Sequence, residues 1–209
     1  PHLCYTDGLR PDGNCRACVV EIAGERTLAP SCCRAPTAGM KVQAASPRAR
    51  KSQQMVVEML LSDMPDVGYQ WNDDQPDTPE LIAGGAYPSC ARARFDSKNA
   101  EAVGQHGELS QWADRLGVTV RPALKALRRE QPAPDLSHPA MAVNLDACIQ
   151  CNRCVRACRE EQVNDVIGYA LRGAESKIVF DLDDPMAEST CVACGECVQA
   201  CPTGALSPK

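Results

Sequence analysis

The spacing of apolar residues predicts short strands and helices separated by long polar stretches. Near the N-terminus, β-forming residues at 19–22 and 26–28 flank the turn Ala23-Gly24-Glu25, which predicts a hairpin. Residues 51–64 then place apolar side chains near helical spacing, which predicts a helix ended by Pro65. The side chains expected on its buried face are Met55, Val56, Met59, Leu60 and Met64.

The pattern after this helix predicts two more helices and a second hairpin. Residues 66–106 are rich in Pro, Gly, Asp and Ala, so we expect irregular loops there. Residues 108–118 have the period of a helix, with Leu109, Trp112, Ala113 and Leu116 on one face. Pro122 is expected to begin a third helix, with Leu124 and Leu127 inward and Arg128 and Arg129 on a solvated face. Residues 165–171 and 177–182 predict a small hairpin.

Composition favours several small domains over one large core. The chain has 209 residues, of which 4% are aromatic, and it contains 14 glycines and 16 prolines. Its net charge of −5 argues against nucleic-acid binding, and no apolar run approaches the roughly 20 residues that span a bilayer. Because Pro1 stands only three residues before a motif cysteine, we expect a fragment of a longer chain.

Eight cysteines near the C-terminus repeat the pattern C-x2-C-x2-C-x3-C, and Pro202 follows the second copy. The copies are Cys148, Cys151, Cys154, Cys158 and Cys191, Cys194, Cys197, Cys201. This is the run of a bacterial two-cluster ferredoxin, in which the fourth cysteine of each copy ligates the other cluster. The predicted [4Fe–4S] ligand sets are therefore Cys148, Cys151, Cys154, Cys201 and Cys191, Cys194, Cys197, Cys158. Two zinc ribbons would leave the fourth cysteine of each copy without a role.

The repeat has consequences for the fold and for the compartment. It predicts pseudo-two-fold symmetry, with matching short helices at 155–162 and after Val198. Clustered C-x2-C spacing in a chain of this length indicates metal binding rather than disulfides, and therefore a cytoplasmic protein. The acidic run at 181–184 lacks the ligand spacing of an EF-hand, so we expect a solvated turn. No Walker or Rossmann glycine pattern occurs, and no catalytic or nucleotide-binding residue is predicted.

A second cysteine group lies at the N-terminus. Cys4, Cys15, Cys18 and Cys32 have gaps of ten, two and thirteen residues, which resembles a ferredoxin-type [2Fe–2S] loop. Cys33 breaks this spacing, so it is expected to pack in the protein, with an exchange of roles with Cys32 as the alternative. His2 could hydrogen-bond near the cluster, although a solvated terminal histidine is expected. His138 is expected to be a loop residue.

Longer stretches around the cysteines resemble one enzyme family. Residues 4–18 and Ser31-Cys32-Cys33-Arg34 are similar to the cluster-bearing subunits related to respiratory complex I. Residues 137–148 and 184–197 more closely resemble the α subunit of NAD-dependent formate dehydrogenases. The resemblance implies that a molybdenum- or tungsten-bis(pterin) domain and a further [4Fe–4S] cluster follow this region. It also implies a diaphorase partner that carries FMN and reduces NAD, and an electron relay between the two, with no membrane or nucleic-acid partner.

One motif of those relatives is missing here. Complex I-type relatives carry a His-x3-Cys-x2-Cys-x5-Cys cluster motif after the first domain, and Gly107-Glu108-Leu109 resembles its end without the cysteine. Cys90 and His106 are the only candidate ligands left, and a [4Fe–4S] cluster needs four. We therefore expect this site to be absent, with Cys90 a free thiol and His106 a surface residue.

Together these features predict an α+β protein in three parts. Residues 1–50 form a partial β-grasp [2Fe–2S] domain, residues 51–137 a helical and irregular connector, and residues 138–209 a two-[4Fe–4S] ferredoxin-like domain. The favoured function is the electron-relay region of a formate dehydrogenase catalytic subunit. The alternatives are the equivalent relay of a NAD-linked hydrogenase or complex I-like subunit, and a stand-alone polyferredoxin.

Overall fold

The computed structural model describes residues 1–64 and 107–208, and its N-terminal part is built on a small antiparallel sheet. The strands are β1 (Val19–Ile22), β2 (Ala29–Pro30) and β3 (Val42–Gln43), in the order β2-β1-β3. The predicted hairpin exists, but its second strand begins at Ala29 rather than at residue 26. Ala29 is buried with Val20 and Ile22, whereas Arg26 and Thr27 are exposed, so burial sets the strand and not β-propensity.

Helix α1 (Pro47–Ser62) packs against β1 and begins four residues before the predicted start. Ser46 caps it, because its Oγ accepts a hydrogen bond from the Ala49 N–H at 3.2 Å. The predicted buried face is right for Val56, Leu60 and Met64, which pack against an apolar cluster, and wrong for Met55 and Met59, which are 47% and 55% exposed. The buried face instead includes Gln53, whose Nε2 donates to the Val19 carbonyl at 2.9 Å. A polar side chain with such a partner is buried at a position that an apolar pattern assigns to solvent.

Two helices follow the undescribed segment. Helix α2 (Glu108–Leu116) confirms the predicted helix, and Leu109 and Ala113 are buried against α1. Helix α3 (Pro122–Lys125) begins at the expected proline but makes only one turn. The orientation predicted beyond it is wrong, since Leu127 is 74% exposed. The two arginines that follow form ion pairs instead of a solvated face, Arg128 with Asp146 and Arg129 with Asp63.

The C-terminal part consists of two small sheets and two short helices around a shared apolar core. Strand β4 (Met141–Val143) pairs with β7 (Leu206–Pro208), and β5 (Ile167–Ala170) pairs with β6 (Lys177–Phe180), which confirms the second predicted hairpin. Helix α4 (Arg153–Arg156) continues as a π-helical turn at Ala157–Glu161, and α5 (Glu196–Ala200) packs against it. Each helix lies within one copy of the cysteine run, at or near the expected positions.

Two expectations concern residues outside the described ranges. The irregular excursion at 66–106, with Cys90 and His106, is not covered by the structure, so the proposed loss of a cluster there stays a prediction. Within the described ranges, no helix has the length and apolar character that crossing a membrane requires.

Candidate metal centres

The cysteine at the end of the second run lies beside the first run. Cys148, Cys151, Cys154 and Cys201, which we call the inner site, line one small apolar cavity with Leu145, Ile149 and Leu206. Sheet pairing produces this arrangement, because Val143 of β4 is paired with Leu206 of β7. Cys148 lies five residues after Val143, and Cys201 lies five residues before Leu206. The Thr203 hydroxyl also donates to the Ala147 carbonyl at 2.7 Å and holds the two segments together.

The reciprocal exchange occurs at the other end of the repeat. Cys158, Cys191, Cys194 and Cys197 form what we call the outer site. Cys158 and Cys197 are buried in the same apolar core, and Cys191 packs against that core. Burial raises the pKa of the Cys197 thiol to about 12, and the nearby thiols Cys191, Cys194 and Cys158 add to this rise. Cys158 thus lies near the second run, as Cys201 lies near the first.

Both four-cysteine loops have the same unusual backbone. Gln150 and Ala193, each just before the second cysteine of its run, have φ of 54° and 56°. Asn152 and Gly195, each just after that cysteine, have φ of 68° and 81°. Left-handed conformations at non-glycine residues are costly and cluster at functional sites. Here they turn the chain so that successive cysteines face the same side, and the Ala193 N–H donates to Cys191 Sγ at 3.4 Å.

The N-terminal cysteines lie on a loop beside β1, and we call Cys4, Cys15, Cys18 and Cys32 the N-terminal site. The Cys4 N–H donates to Cys15 Sγ at 3.4 Å, and Cys18 Sγ is 3.4 Å from Cys32 Sγ. A hydrogen bond between the Cys15 and Cys4 thiols, together with burial, raises the pKa of the Cys15 thiol, while the Cys4 N–H acts in the opposite direction. The expectation that Cys33 packs inside the protein is wrong, because it is exposed with its Sγ 3.6 Å from Cys32 Sγ.

The donor sets fit iron–sulfur clusters. Burial raises the pKa of the Cys148 thiol to about 11 and that of Cys151 to about 12, so without metal these side chains stay protonated. A bound cluster would replace those protons with metal charge, and all four cysteines line the same apolar cavity. In residues 1–64 and 107–208, no three His, Cys, Asp or Glu side chains converge closely enough for a single ion. The sulfurs around a cubane stand farther apart than that.

The inner site is joined to the N-terminal site. Cys4 and Cys151 share one apolar cluster with Leu3, Ala17 and Ile149. Asn14, next to Cys15, donates to the Gln150 carbonyl, next to Cys151, at 2.8 Å. The buried Arg156 side chain donates to the carbonyls of Cys4 and Arg10. These contacts hold the two cysteine loops against each other.

Sequence reasoning missed the charged residues around the sites. Arg129 Nη2 donates to the Cys148 carbonyl at 3.4 Å while its Nε pairs with Asp63 at 2.8 Å. Arg153 pairs with Glu108 at 2.7 Å. Arg153 and Arg156 lie between ligands of the first cysteine run. That position in the sequence could have indicated that they lie near a cluster site.

The acidic run is the expected turn, yet it also supports the outer site. Asp181 accepts hydrogen bonds from the Thr190 N–H at 2.6 Å and the Thr190 hydroxyl at 3.0 Å, immediately before Cys191.

Among the described residues, the contacts of His2 and His138 do not include a cysteine sulfur. His2 is exposed, with its ring at 5.9 Å from the Trp112 ring and its Nδ1 at 3.3 Å from the Tyr5 carbonyl. His138 is buried in a loop, where its Nδ1 accepts a hydrogen bond from the Ala140 N–H at 3.2 Å.

Comparison with known families agrees with the two kinds of cysteine group. Residues 1–47 match the family model described as 2Fe-2S iron-sulfur cluster binding domain. Residues 147–205 match the one described as 4Fe-4S dicluster domain.

The similar curated proteins are oxidoreductases. The chain is 31% identical to the NADP-reducing hydrogenase subunit HndD of Solidesulfovibrio fructosivorans, over 99% of this chain and 31% of the relative. It is 29% identical to an NADH-quinone oxidoreductase subunit of Rhizobium meliloti, over 99% of this chain and 20% of the relative. It is 24% identical to a putative formate dehydrogenase of Staphylococcus haemolyticus, over 99% of this chain and 18% of the relative. The chain thus spans less than a third of the length of each of these relatives.

A solved structure has the same fold. The crystal structure of an NAD+-reducing [NiFe]-hydrogenase in the H2-reduced state covers 100% of this chain, and the match covers 75% of that chain, with a TM-score of 0.73 at 23% identity. The chain therefore carries a 2Fe-2S domain followed by a 4Fe-4S dicluster domain, and its homologues are oxidoreductase subunits of the NADH-quinone oxidoreductase, hydrogenase and formate dehydrogenase types.

Proposed function

We propose that this region is an iron–sulfur electron relay with three cluster sites. The N-terminal site holds a [2Fe–2S] cluster, and the inner and outer sites each hold a [4Fe–4S] cluster. The observation that carries the proposal is the crossed grouping of the eight C-terminal cysteines, with Cys201 beside the first run and Cys158 beside the second. The three-part division at residues 50 and 137 belongs to the same proposal.

When bound, such clusters supply one-electron storage across a wide range of potentials. The residues of this chain hold the clusters and set their surroundings. Backbone N–H groups such as that of Ala193 donate to cysteine sulfur, which stabilises the negative charge there. The apolar contacts that join Cys151 to Cys4 keep water away from the space between the N-terminal and inner sites.

For the complete protein, we propose a cytoplasmic formate dehydrogenase catalytic subunit. The resemblance of residues 137–148 and 184–197 to that family supports this assignment, as does the similarity to putative formate dehydrogenases of Staphylococcus species. In such an enzyme the relay would connect a molybdenum- or tungsten-pterin site in the same chain with an FMN- and NAD-binding diaphorase partner.

A relay in a NAD(P)-linked hydrogenase or complex I-like enzyme is the second candidate. The 31% identity to the HndD subunit is the specific observation in its favour, and it exceeds the identity to the putative formate dehydrogenases. Both candidates require the same three cluster sites in this region, so the sites and the electron donor need separate experiments.

The first experiment counts the clusters. The chain is purified without oxygen, its iron and acid-labile sulfide are measured, and EPR spectra are recorded at low temperature after reduction. We expect about ten irons, with one [2Fe–2S] signal and two interacting [4Fe–4S] signals. A count near fourteen would show a fourth cluster that uses Cys90 or His106, and a zinc-only preparation would refute the relay.

The second experiment identifies the donor. The full-length protein is isolated with its native partner subunits and mixed anaerobically with formate or, separately, with H2. Reduction of the EPR-active clusters by formate, together with molybdenum or tungsten in the metal analysis, is the expected result. Reduction by H2 alone would overturn the formate assignment and support the hydrogenase.

A further inference from the structure

Arg153 is a buried cation inside the first cysteine run. It stands in α4 between Cys151 and Cys154, and its side chain is 4% exposed. One end of the guanidinium is satisfied, because Nη1 donates to Glu108 Oε1 at 2.7 Å. The Nε–H is buried and has no acceptor among residues 1–64 and 107–208.

An orphaned donor on a buried charge needs a physical reason. Burying an ion is unfavourable unless its charge and its hydrogen-bonding groups are matched, and buried polar groups nearly always have a partner. Glu108 supplies the charge but reaches only one nitrogen. The described residues do not supply the missing partner of Nε, so we look for it in a group bound at the neighbouring cysteine site.

The position of the guanidinium shows where that group would lie. Arg153 is the second residue after Cys151 and immediately precedes Cys154, so two inner-site ligands flank it in the chain. Glu108, the partner of Arg153, lies near another inner-site ligand, Cys201. The Glu108 N–H donates to the carbonyl of Pro202 at 2.8 Å, and Pro202 follows Cys201.

Gly107 shows how closely these two segments approach. A Cβ on residue 107 would lie 2.7 Å from the Pro202 carbonyl oxygen. The φ of Gly107, +85°, also disfavours any residue other than glycine at this position. The start of α2 is thus pressed against the Cys201 turn, and from there Glu108 holds the Arg153 guanidinium by the 2.7 Å ion pair.

We propose that Arg153 raises the reduction potential of the inner [4Fe–4S] cluster by donating its Nε–H to a sulfur of that cluster site. This inference rests on the proposed function, since it assumes that the inner site holds a cluster. A reduced cluster carries one more negative charge, so a fixed positive charge with a donated hydrogen bond stabilises the reduced form. Glu108 holds the guanidinium in place and offsets part of its charge.

The charge and the hydrogen bond can be separated by substitution. Arg153→Gln removes the charge, Arg153→Lys keeps the charge without the Nε–H, and Glu108→Gln removes the counter-charge. Arg159→Gln is the matched control, because Arg159 lies on the same stretch of helix but forms an exposed ion pair with Asp165 at 2.7 Å.

The measurement is an EPR-monitored potentiometric titration of the cluster-loaded chain. In R153Q, we expect the ratio of reduced to oxidised inner cluster at a fixed potential to fall about tenfold, equivalent to about 59 mV for a one-electron couple. R153K should shift it less, E108Q should shift it in the opposite direction, and R159Q should not shift it. The outer cluster should keep its potential in all four variants.

A purely structural role for Arg153 predicts a different result. Loosening of α2 from α4 would lower stability or cluster content in both R153Q and E108Q, but would not move the inner potential in opposite directions. Unchanged inner potentials in loaded R153K and E108Q would overturn the inference even if R153Q fails to retain its cluster. Absence of the two [4Fe–4S] signals from the unsubstituted chain would instead refute the proposed function.

Discussion

The inner and outer sites are built from the same cysteine run but have different surroundings. The inner site faces the N-terminal domain, with Cys151 in the apolar cluster that contains Cys4. The outer site faces solvent, since Cys194 is exposed and Val192 is 61% exposed. The repeat therefore fixes two equal sets of ligands, while neighbouring segments make the two sites unequal.

This difference acts on the clusters in two opposing ways. Burial disfavours additional negative charge, so the inner site by itself would hold a cluster that is harder to reduce. Two arginines act in the opposite direction, because Arg129 donates to the Cys148 carbonyl and Arg153 lies beside Cys151. We therefore expect these two arginines to offset part of the effect of burial on the inner cluster.

The largest expected effect tests whether the two sites are crossed. Cys148→Ala and Cys201→Ala should each remove the inner cluster, about four of about ten irons, because each deletes one ligand of the same site. The double variant of these two should lose no more iron than either single variant. Cys191→Ala combined with Cys201→Ala should lose both clusters, about eight irons. Iron and sulfide counts with EPR measure all four proteins.

The opposite pattern would show that each run binds its own cluster. In that case Cys191→Ala and Cys201→Ala would be equivalent, and Cys148→Ala with Cys201→Ala would lose both clusters. Cys33→Ala is a suitable control, because Cys33 lies outside both sites and should leave the two [4Fe–4S] signals unchanged.

A smaller effect on stability should come from the contacts that join the inner site, but not the outer site, to the N-terminal domain. Arg156→Met removes the donors to the Cys4 and Arg10 carbonyls while keeping most of the side-chain volume. We expect the free energy of unfolding to fall by about 3 kcal/mol, since the carbonyls of Cys4 and Arg10 lose bonds to a charged group that is itself buried. Urea denaturation under anaerobic conditions measures this change.

The same variant should affect the two clusters unequally. The inner cluster should be lost to a chelator faster than in the unsubstituted chain, while the outer cluster keeps its rate. Arg159→Met, which removes only an exposed ion pair, should change the free energy of unfolding by less than about 1 kcal/mol. Equal loss from both sites would contradict the view that the N-terminal domain protects only the inner one.

The smallest effect concerns the outer site alone. Asp181→Ala removes two hydrogen bonds to Thr190, the residue before Cys191. We expect chelators to extract the outer cluster about tenfold faster, because each such bond contributes on the order of 1 kcal/mol to the order of the loop.

Asp183→Ala provides the comparison, because Asp183 belongs to the same turn but pairs with Lys177 at 2.6 Å. It should leave the outer cluster's extraction rate unchanged. A similar acceleration in both variants would mean that the turn as a whole, and not the Thr190 bonds, holds the loop.

Patterns along the chain correctly predicted the elements that depend on neighbouring residues. The helix at Glu108–Leu116 and the hairpin of β5 and β6 were found from periodicity and turn residues. On α1 periodicity did not identify Gln53 as buried, because its partners are the carbonyls of Val19 and Ala44, which periodicity cannot show. Arg129 was assigned to solvent for the same reason, since its partner Asp63 is 66 residues away.

The sequence by itself identified the 2Fe-2S and 4Fe-4S dicluster domains and the cysteine groups, and it predicted the crossed pairing proposed for eight of those cysteines. Ligand spacing is a local property, because a few residues of loop set how cysteines can surround a cluster. Only the tertiary structure decided which site is buried and which cations face it. Arg153 meets Glu108 across 45 residues, and Arg156 meets Cys4 across 152. Electrostatic surroundings are the sum of such distant contacts, and no pattern along the chain records them.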